Sequence, residues 1–251
     1  MSQCGGPGRT GNQVIRVIAS NIFADKFNLL VNWNDEHKDL FEKIGLKLFE
    51  GTNDFKNKPA ITLTNDTYFK YYDCDSIDVN FNTSGFLQSK EVTCLINQYL
   101  NLPQNMNQII NNNKFNNRYK TNNDCFIHIR LGDVSEFNPG YEYYDNILSK
   151  LKFDNLYVSS DGHGNNIVKK ILNKYTNNII CRYNITDTFL FASTCKHVIL
   201  SHGTFSAFIG YISFFSYVYP IPYEEKYMWD WNKNCGISIE KTSTISKWIY
   251  S

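Results

Sequence analysis

A surplus of charge is what this chain most plainly lacks. Its 251 residues carry 25 Lys and Arg against 24 Asp and Glu, a formal net charge of +1. That balance argues against a basic nucleic-acid surface and against an acidic face for a cationic partner. Metal-binding cysteine patterns are missing too. The seven cysteines (Cys4, Cys74, Cys94, Cys125, Cys181, Cys195 and Cys235) are scattered, with no Cys-x-x-Cys and no Cys/His spacing. Zinc is therefore not expected, and a reduced, intracellular setting fits. No apolar run is long and clean enough to span a bilayer. The best candidate, "FSAFIGYISFFSYVYPIP" at 205–222, is broken by Ser, Gly and Pro and reads as a buried helix. The start, "MSQCGGPGRTGNQ", has neither a basic opening nor an apolar stretch, so a signal peptide is not expected and the cytoplasm is the expected location.

What is present is the composition of a soluble globular protein, with 42% hydrophobic and 20% charged residues. The length suits one large domain or two small ones. Asn is abundant, above all in "QNMNQIINNNKFNNRYKTNND", a compositional bias that by itself carries no chemistry. Segment 104–123 is the natural linker candidate, dividing the chain into an N-terminal half (1–118) and a C-terminal half (119–251). Before it, the glycine-rich start leads to helical spacing at Val14, Val17, Ile18 and Ile22, then to a strand at "NLLVNW". Short strands follow at "AITL" and "SIDVNF", then a helix around 90–102. After it, strands "CFIHIR", "NLYVSSD", "NIICRY" and "HVILS" alternate with helical segments. Alternation of this kind predicts an α/β fold with parallel sheets covered on both faces, and ligands in such sheets lie at the carboxyl ends of the strands.

Several short segments place chemistry at those ends. In "CFIHIRLGD", His128 and Arg130 share a strand face with Phe126, while Ile127 and Ile129 point the other way. The Arg130 fork suits a phosphate and stays charged when desolvated; pairing with Asp133 fits equally. In "VILSHGTFSAF", a strand ends at Ser201, and Thr204 is a natural N-cap for the apolar helix beyond. Backbone N–H groups there, with the hydroxyls of Thr204 and Ser206, would make an anion site. "YVSSDG" delivers Asp161 to the same edge, as an acceptor for a ribose hydroxyl or base amine, or as a turn residue. "GGPGRTGNQ" is glycine-rich but has no Walker lysine; Asn12 and Gln13 are positioned to bond a polar ligand. Asp73 and Asp75 in "YYDCDS" have the spacing of a metal-holding Asp-x-Asp, yet read more simply as a solvated turn.

In order, the chain runs "GG…GNQ" (Gly5, Gly6, Gly11 to Gln13), "GFLQS" (85–89), "HIRLGD" (128–133), "YVSSD" (157–161) and "STCKHVILSHGTFS" (193–206). This series resembles the alpha-1,2-fucosyltransferases of glycosyltransferase family 11, with their Gly-Gly-x-Gly-Asn-Gln, Gly-Tyr/Phe-x-Gln-Ser, His-x-Arg-x-Gly-Asp, Ser-Asp-Asp and Ser-Thr-Phe-Ser-Trp-Trp segments. The chain departs from that pattern in its longer glycine loop, in Gly162 for the second aspartate, in Gly203 for Ser and in Ala207-Phe208 for Trp-Trp.

The resemblance implies a compact GT-B-like pair of Rossmann-type halves, the N-terminal one incomplete at its opening strand. It implies an inverting transfer of L-fucose from GDP-L-fucose to O-2 of a terminal galactose in a glycan, with no metal cofactor. Carried over, the donor would meet His128, Arg130, Asp161, Ser201, Gly203, Thr204, Phe205 and Ser206, and the acceptor side Asn12, Gln13 and Gln88. Arg130, His128 and Asp133 would be the catalytic candidates, and the base is left open among Asp133, His128, His202 and a carboxylate of the N-terminal half. The competing readings are a related transferase with another nucleotide-linked deoxysugar and a catalytically inactive glycan- or nucleotide-binding module. A metal-dependent enzyme built on Asp73 and Asp75 ranks last. The expected partners are a nucleotide sugar and a glycan acceptor.

Overall fold

The structure, a computed structural model, describes residues 1–6, 8–221 and 247–249. The first part of the chain forms β1 (Ser2–Gln3), α1 (Thr10–Phe27), β2 (Val31–Asn32), α2 (Asp35–Ile44), β3 (Ile61–Leu63), α3 (Tyr68–Tyr72), β4 (Phe81–Thr83), α4 (Lys90–Leu100) and α5 (Pro103–Asn112). The second part forms β5 (Cys125–Ile129), α6 (Tyr141–Leu148), β6 (Leu156–Ser160), α7 (Asn166–Lys174), β7 (Asn178–Ile180), α8 (Ile185–Ala192), β8 (His197–Ile199), α9 (Thr204–Ile212), β9 (Tyr217–Tyr219) and β10 (Lys247–Trp248). Cys235 lies outside the described residues.

Two sheets result, and every pairing between their strands is parallel. The first has the order β2-β1-β4-β3, the second β10-β9-β8-β5-β6-β7. In each, the chain starts in the interior of the sheet, works outward on one side, then returns to the other. The reversal falls between β1 and β4 in the first sheet and between β5 and β8 in the second. At such switch points the loops leaving the carboxyl ends diverge and open a crevice. The opening strand, expected to be all but missing, is two residues long, yet it lies between β2 and β4 and carries the glycine loop at its end.

Helix α1 joins the halves. It is buried along most of its length, with Val14, Ile15, Val17, Ile18, Ala19 and Phe23 at or below 1% exposure and Arg16, Ser20 and Asn21 buried as well. It packs against both α4 and α9. At its start, a Cβ on Gly11 would lie 2.5 Å from the Phe205 amide nitrogen and 2.8 Å from Thr204 Oγ1, so only glycine permits this approach to α9. Strand β5 is buried at all five positions. Phe126 faces the core that holds α1 and α9, while Cys125, Ile127 and Ile129 face a second core with Tyr144, Ile147 and Val168.

The Asn-rich linker candidate turns out to be packed structure. Its first part is α5, followed by a turn in which the buried Asn113 side chain donates to Leu190 O at 2.9 Å and to Tyr119 OH at 2.9 Å. Asn122 donates to Thr194 O at 2.9 Å. Asn also caps helices, Asn34 at α2, Asn165 at α7 and Asn184 at α8 accepting from backbone amides, the role for which a short amide side chain is suited. Among the described residues, no helix is long and apolar enough to cross a membrane.

Candidate active site

The two switch points face each other across a cleft of about 620 Å³. From the N-terminal half come Gly8, Arg9, Thr10, Gly11, Asn12 and Gln13, the loop and first turn after β1. From the C-terminal half come His128 in β5, Arg130 and Asp133 beyond it, Ser159 to Asp161 at β6, Tyr183, Ile185 and Thr188 beyond β7, and Thr204 and Phe205 at the start of α9.

Arg130 follows the last residue of β5 and is 17% exposed. Its guanidinium lies over Gly203, whose backbone (φ 95°, ψ 161°) is closed to residues with a side chain. A Cβ there would strike Arg130 Nη1 and stand 3.4 Å from Cζ. The absence of that atom lets the cation sit against the N-terminus of α9. Arg130 also donates to Asp133 Oδ1 at 3.1 Å, the pairing the sequence allowed, and it lines the cleft.

Thr204 is not the N-cap. Gly203 takes that position, with no side chain capping the helix. Thr204 is the first helical residue, and its hydroxyl instead donates across the cleft to Asn12 Oδ1 at 2.7 Å. Gln88 Nε2 donates to the same oxygen at 2.9 Å. Asn12 thereby couples the two halves, and its amide is set by two donors. The first-turn N–H groups of α9 have no partner within the helix and lie at the positive end of its dipole, beside Arg130.

Several expected site residues act one layer back. The Ser201 hydroxyl accepts from the Arg130 amide at 3.1 Å and from Tyr144 OH at 3.0 Å, fixing the departure of the Arg130 loop. The Ser206 hydroxyl accepts from the Ser201 amide at 3.1 Å and meets His128 Nδ1 at 2.5 Å, so it orients the imidazole. Asp161 accepts from the Leu131 amide at 2.6 Å. Its other oxygen occupies the space a Cβ on Gly132 would need, 2.5 Å away. It lines the cleft and also braces the loop that carries Arg130. Gly162 has a physical reason as well: a Cβ there would lie 2.7 Å from Leu131 Cβ.

Burial pushes the His128 imidazole down to about 3, with the Arg130 charge reinforcing and Asp161 opposing the effect. His202, buried beneath the loop after β5, is pushed down to about 4 for the same reason. The hydrogen bond from Arg130, with Arg9 nearby, holds the Asp133 carboxyl below its ordinary range. His128, His202 and Asp133 are therefore all weak proton acceptors at neutral pH.

Three kinds of residue escaped the sequence reading. Tyr183, Ile185 and Thr188 enter from the end of β7, and the carboxyl-end rule applied to "CRYNITDT" points to them. Arg9 lines the cleft from within the glycine loop. Arg16, 1% exposed, donates to Gly6 O at 2.9 Å and Gly85 O at 3.2 Å, holding the glycine loop against the "GFLQ" turn; nothing in the sequence distinguishes it from a surface arginine. Asp73 and Asp75 are exposed at the end of α3, and among the described residues no cluster of three or more His, Cys, Asp or Glu is arranged to hold a metal ion.

Two α/β halves, each a parallel sheet with its switch point on a shared cleft, define a GT-B-like protein. No protein-family model matches the chain, and no curated protein matches it. Among solved structures it is similar to POFUT1 in complex with GDP-fucose, with a TM-score of 0.50 and 12% identity over 84% of this chain and 93% of that one. It is also similar to the alpha-1,6-fucosyltransferase NodZ co-crystallized with GDP, with a TM-score of 0.47 and 9% identity over 82% and 90% of the two chains. A NodZ structure from Bradyrhizobium gives 0.47 and 10% over 82% and 90%. At such identities the POFUT1 likeness establishes the fold.

Proposed function

We propose that the protein is an inverting fucosyltransferase that takes L-fucose from GDP-L-fucose, with O-2 of a terminal galactose in a glycan as the acceptor hydroxyl. One observation carries this reading: Arg130 lies over Gly203 at the start of α9, beside a cleft between two switch points. POFUT1, which shares the fold, was crystallized with GDP-fucose. The galactose O-2 specificity rests on the sequence motifs.

In the proposed reaction the acceptor hydroxyl attacks the anomeric carbon from the face opposite the diphosphate. The new glycosidic C–O bond forms as the bond to the phosphate oxygen breaks, GDP leaves, and the hydroxyl proton is released. Negative charge grows on the departing diphosphate while the sugar gains oxocarbenium character. A guanidinium already fixed against a helix N-terminus meets that charge without reorganising, which is how preorganised donors lower a barrier. This provides a route that needs no metal cofactor. Asn12, held by Thr204 and Gln88, presents its amide to the cleft from the acceptor half.

The test is incubation with GDP-fucose and a panel of galactose-terminated acceptors, with EDTA and no added metal, followed by mass and linkage analysis. A fucosylated product with a 1,2 linkage is expected. Another linkage would correct the acceptor assignment alone. Turnover that dies with EDTA would refute the metal-free route. GDP binding with no transfer to any acceptor would favour a binding module, and competition by UDP or dTDP in place of GDP would move the donor to another nucleotide sugar.

A further inference from the structure

The carboxylate of Asp133 is shared by two cations from opposite sides of the cleft. Arg130 Nη2 donates to its Oδ1 at 3.1 Å, and Arg9 Nη1 stands 3.2 Å from the same oxygen. Arg130 belongs to the C-terminal half, whereas Arg9 is the N-cap of α1 in the N-terminal half. Arg9 thus crosses the cleft to reach a residue of the opposite sheet.

The arrangement is under-coordinated for two guanidiniums. Each carries a fork of donors suited to two acceptor oxygens, yet they converge on one oxygen of one carboxylate. The Arg9 and Asp133 side chains are 67% and 44% exposed, and ion pairs so open to water contribute little. Among the described residues, the charged ones lining the cleft are Arg9, Arg130, Asp133 and Asp161. Asp161 is committed to the Leu131 amide, so removing Asp133 from between the arginines leaves two cations facing the same space. A diphosphate offers more charge than a carboxylate and enough oxygens to satisfy both forks.

We propose that Arg9 is a second diphosphate-binding residue, supplied by the N-terminal half, and that Asp133 is the carboxylate which the diphosphate replaces between the two arginines. Asp133 is then a positioning residue: it keeps both guanidiniums pointed into the cleft and gives them up when the nucleotide arrives. This rests on the reading of the cleft as a nucleotide-sugar site. It adds that donor binding draws on both halves at once, so the diphosphate links them electrostatically.

Calorimetric titration of the full chain with GDP, guanosine and inorganic pyrophosphate tests it. Arg9→Ala is expected to weaken GDP and pyrophosphate about 10- to 100-fold, the loss of one charged hydrogen-bonding group, while leaving guanosine unchanged; Arg9→Lys is expected to recover part of the loss. Asp133→Asn, which removes the competing charge and keeps the shape, is expected to tighten GDP and pyrophosphate roughly 2- to 5-fold, the worth of an exposed ion pair. Arg9→Ala binding pyrophosphate as the wild type does would overturn the assignment of Arg9. An equal loss for guanosine would overturn it too, by exposing general damage to the cleft. Weaker pyrophosphate binding in Asp133→Asn would overturn the replacement of Asp133. If GDP fails to bind but pyrophosphate binding still depends on Arg9, the nucleotide reading falls and the arginine pair stands.

Discussion

Gly203 is where backbone geometry and chemistry meet most closely, and Gly203→Ala isolates that meeting. The residue sits at φ 95° and ψ 161°, a region essentially reserved for glycine, where a side chain costs of order 1–3 kcal/mol. For a chain of this size each kcal/mol lowers Tm by roughly 2–4 °C. A fall of about 2–12 °C is therefore expected in a thermal melt. The second consequence is local. The new methyl group would strike Arg130 Nη1 and lie 3.4 Å from its Cζ, so the guanidinium must retreat about 1 Å to restore ordinary contact distances. A displacement of that size at a reacting centre costs on the order of 10²-fold in turnover. Initial rates with GDP-fucose and an acceptor measure this, with Gly164→Ala as control, because a Cβ at Gly164 meets nothing within 4 Å. A Gly203→Ala protein with wild-type Tm and wild-type turnover would refute both the strained cap and the placement of Arg130 against it.

Two further outcomes follow from the same geometry. Arg130→Ala is expected to lower turnover about 10²–10³-fold, as loss of a preorganised charge donor does, and Arg130→Lys should rescue little because it lacks the planar fork; rates within a few-fold of wild type would remove Arg130 from the reaction. Stability should fall in mild acid. His128, His197 and His202 are all buried and lowered in the folded protein, to about 3, 4 and 4. The unfolded chain binds their protons near pH 6.5 while the folded one does not, so their contribution is fully present above about pH 6.5 and is lost as pH falls from there toward 4. Each histidine costs about 1.4 kcal/mol per pH unit in that window, and urea midpoints at pH 7, 6 and 5 should fall progressively; a flat series would show that these rings are not held neutral.

The sequence was most informative where local physics is decisive. Strict alternation in "CFIHIR" placed Phe126, His128 and Arg130 on one face of a strand, and the cores divide along that line. Helix and strand alternation after residue 119 was legible because each element carries its own apolar periodicity. The Asn-rich segment misled, because composition suggests a linker while the fate of an amide depends on what it is packed against; Asn113 is a buried donor to another helix's backbone.

The amino-acid sequence by itself determined the alternating α/β elements, the parallel sheets they imply, and the residue types that gather at strand ends. Tertiary structure alone decided that β1 and β4, and β5 and β8, become switch points facing one another. It also made Thr204 a partner of Asn12 rather than a cap, and brought Arg9 within reach of Asp133. The reason is one of range. Periodicity and capping act within a few residues of chain, whereas Asn12 and Thr204 are separated by 192 positions. The packing of α1 against α9, through Gly11, where the absent side chain lets two helix starts approach, brings them into contact.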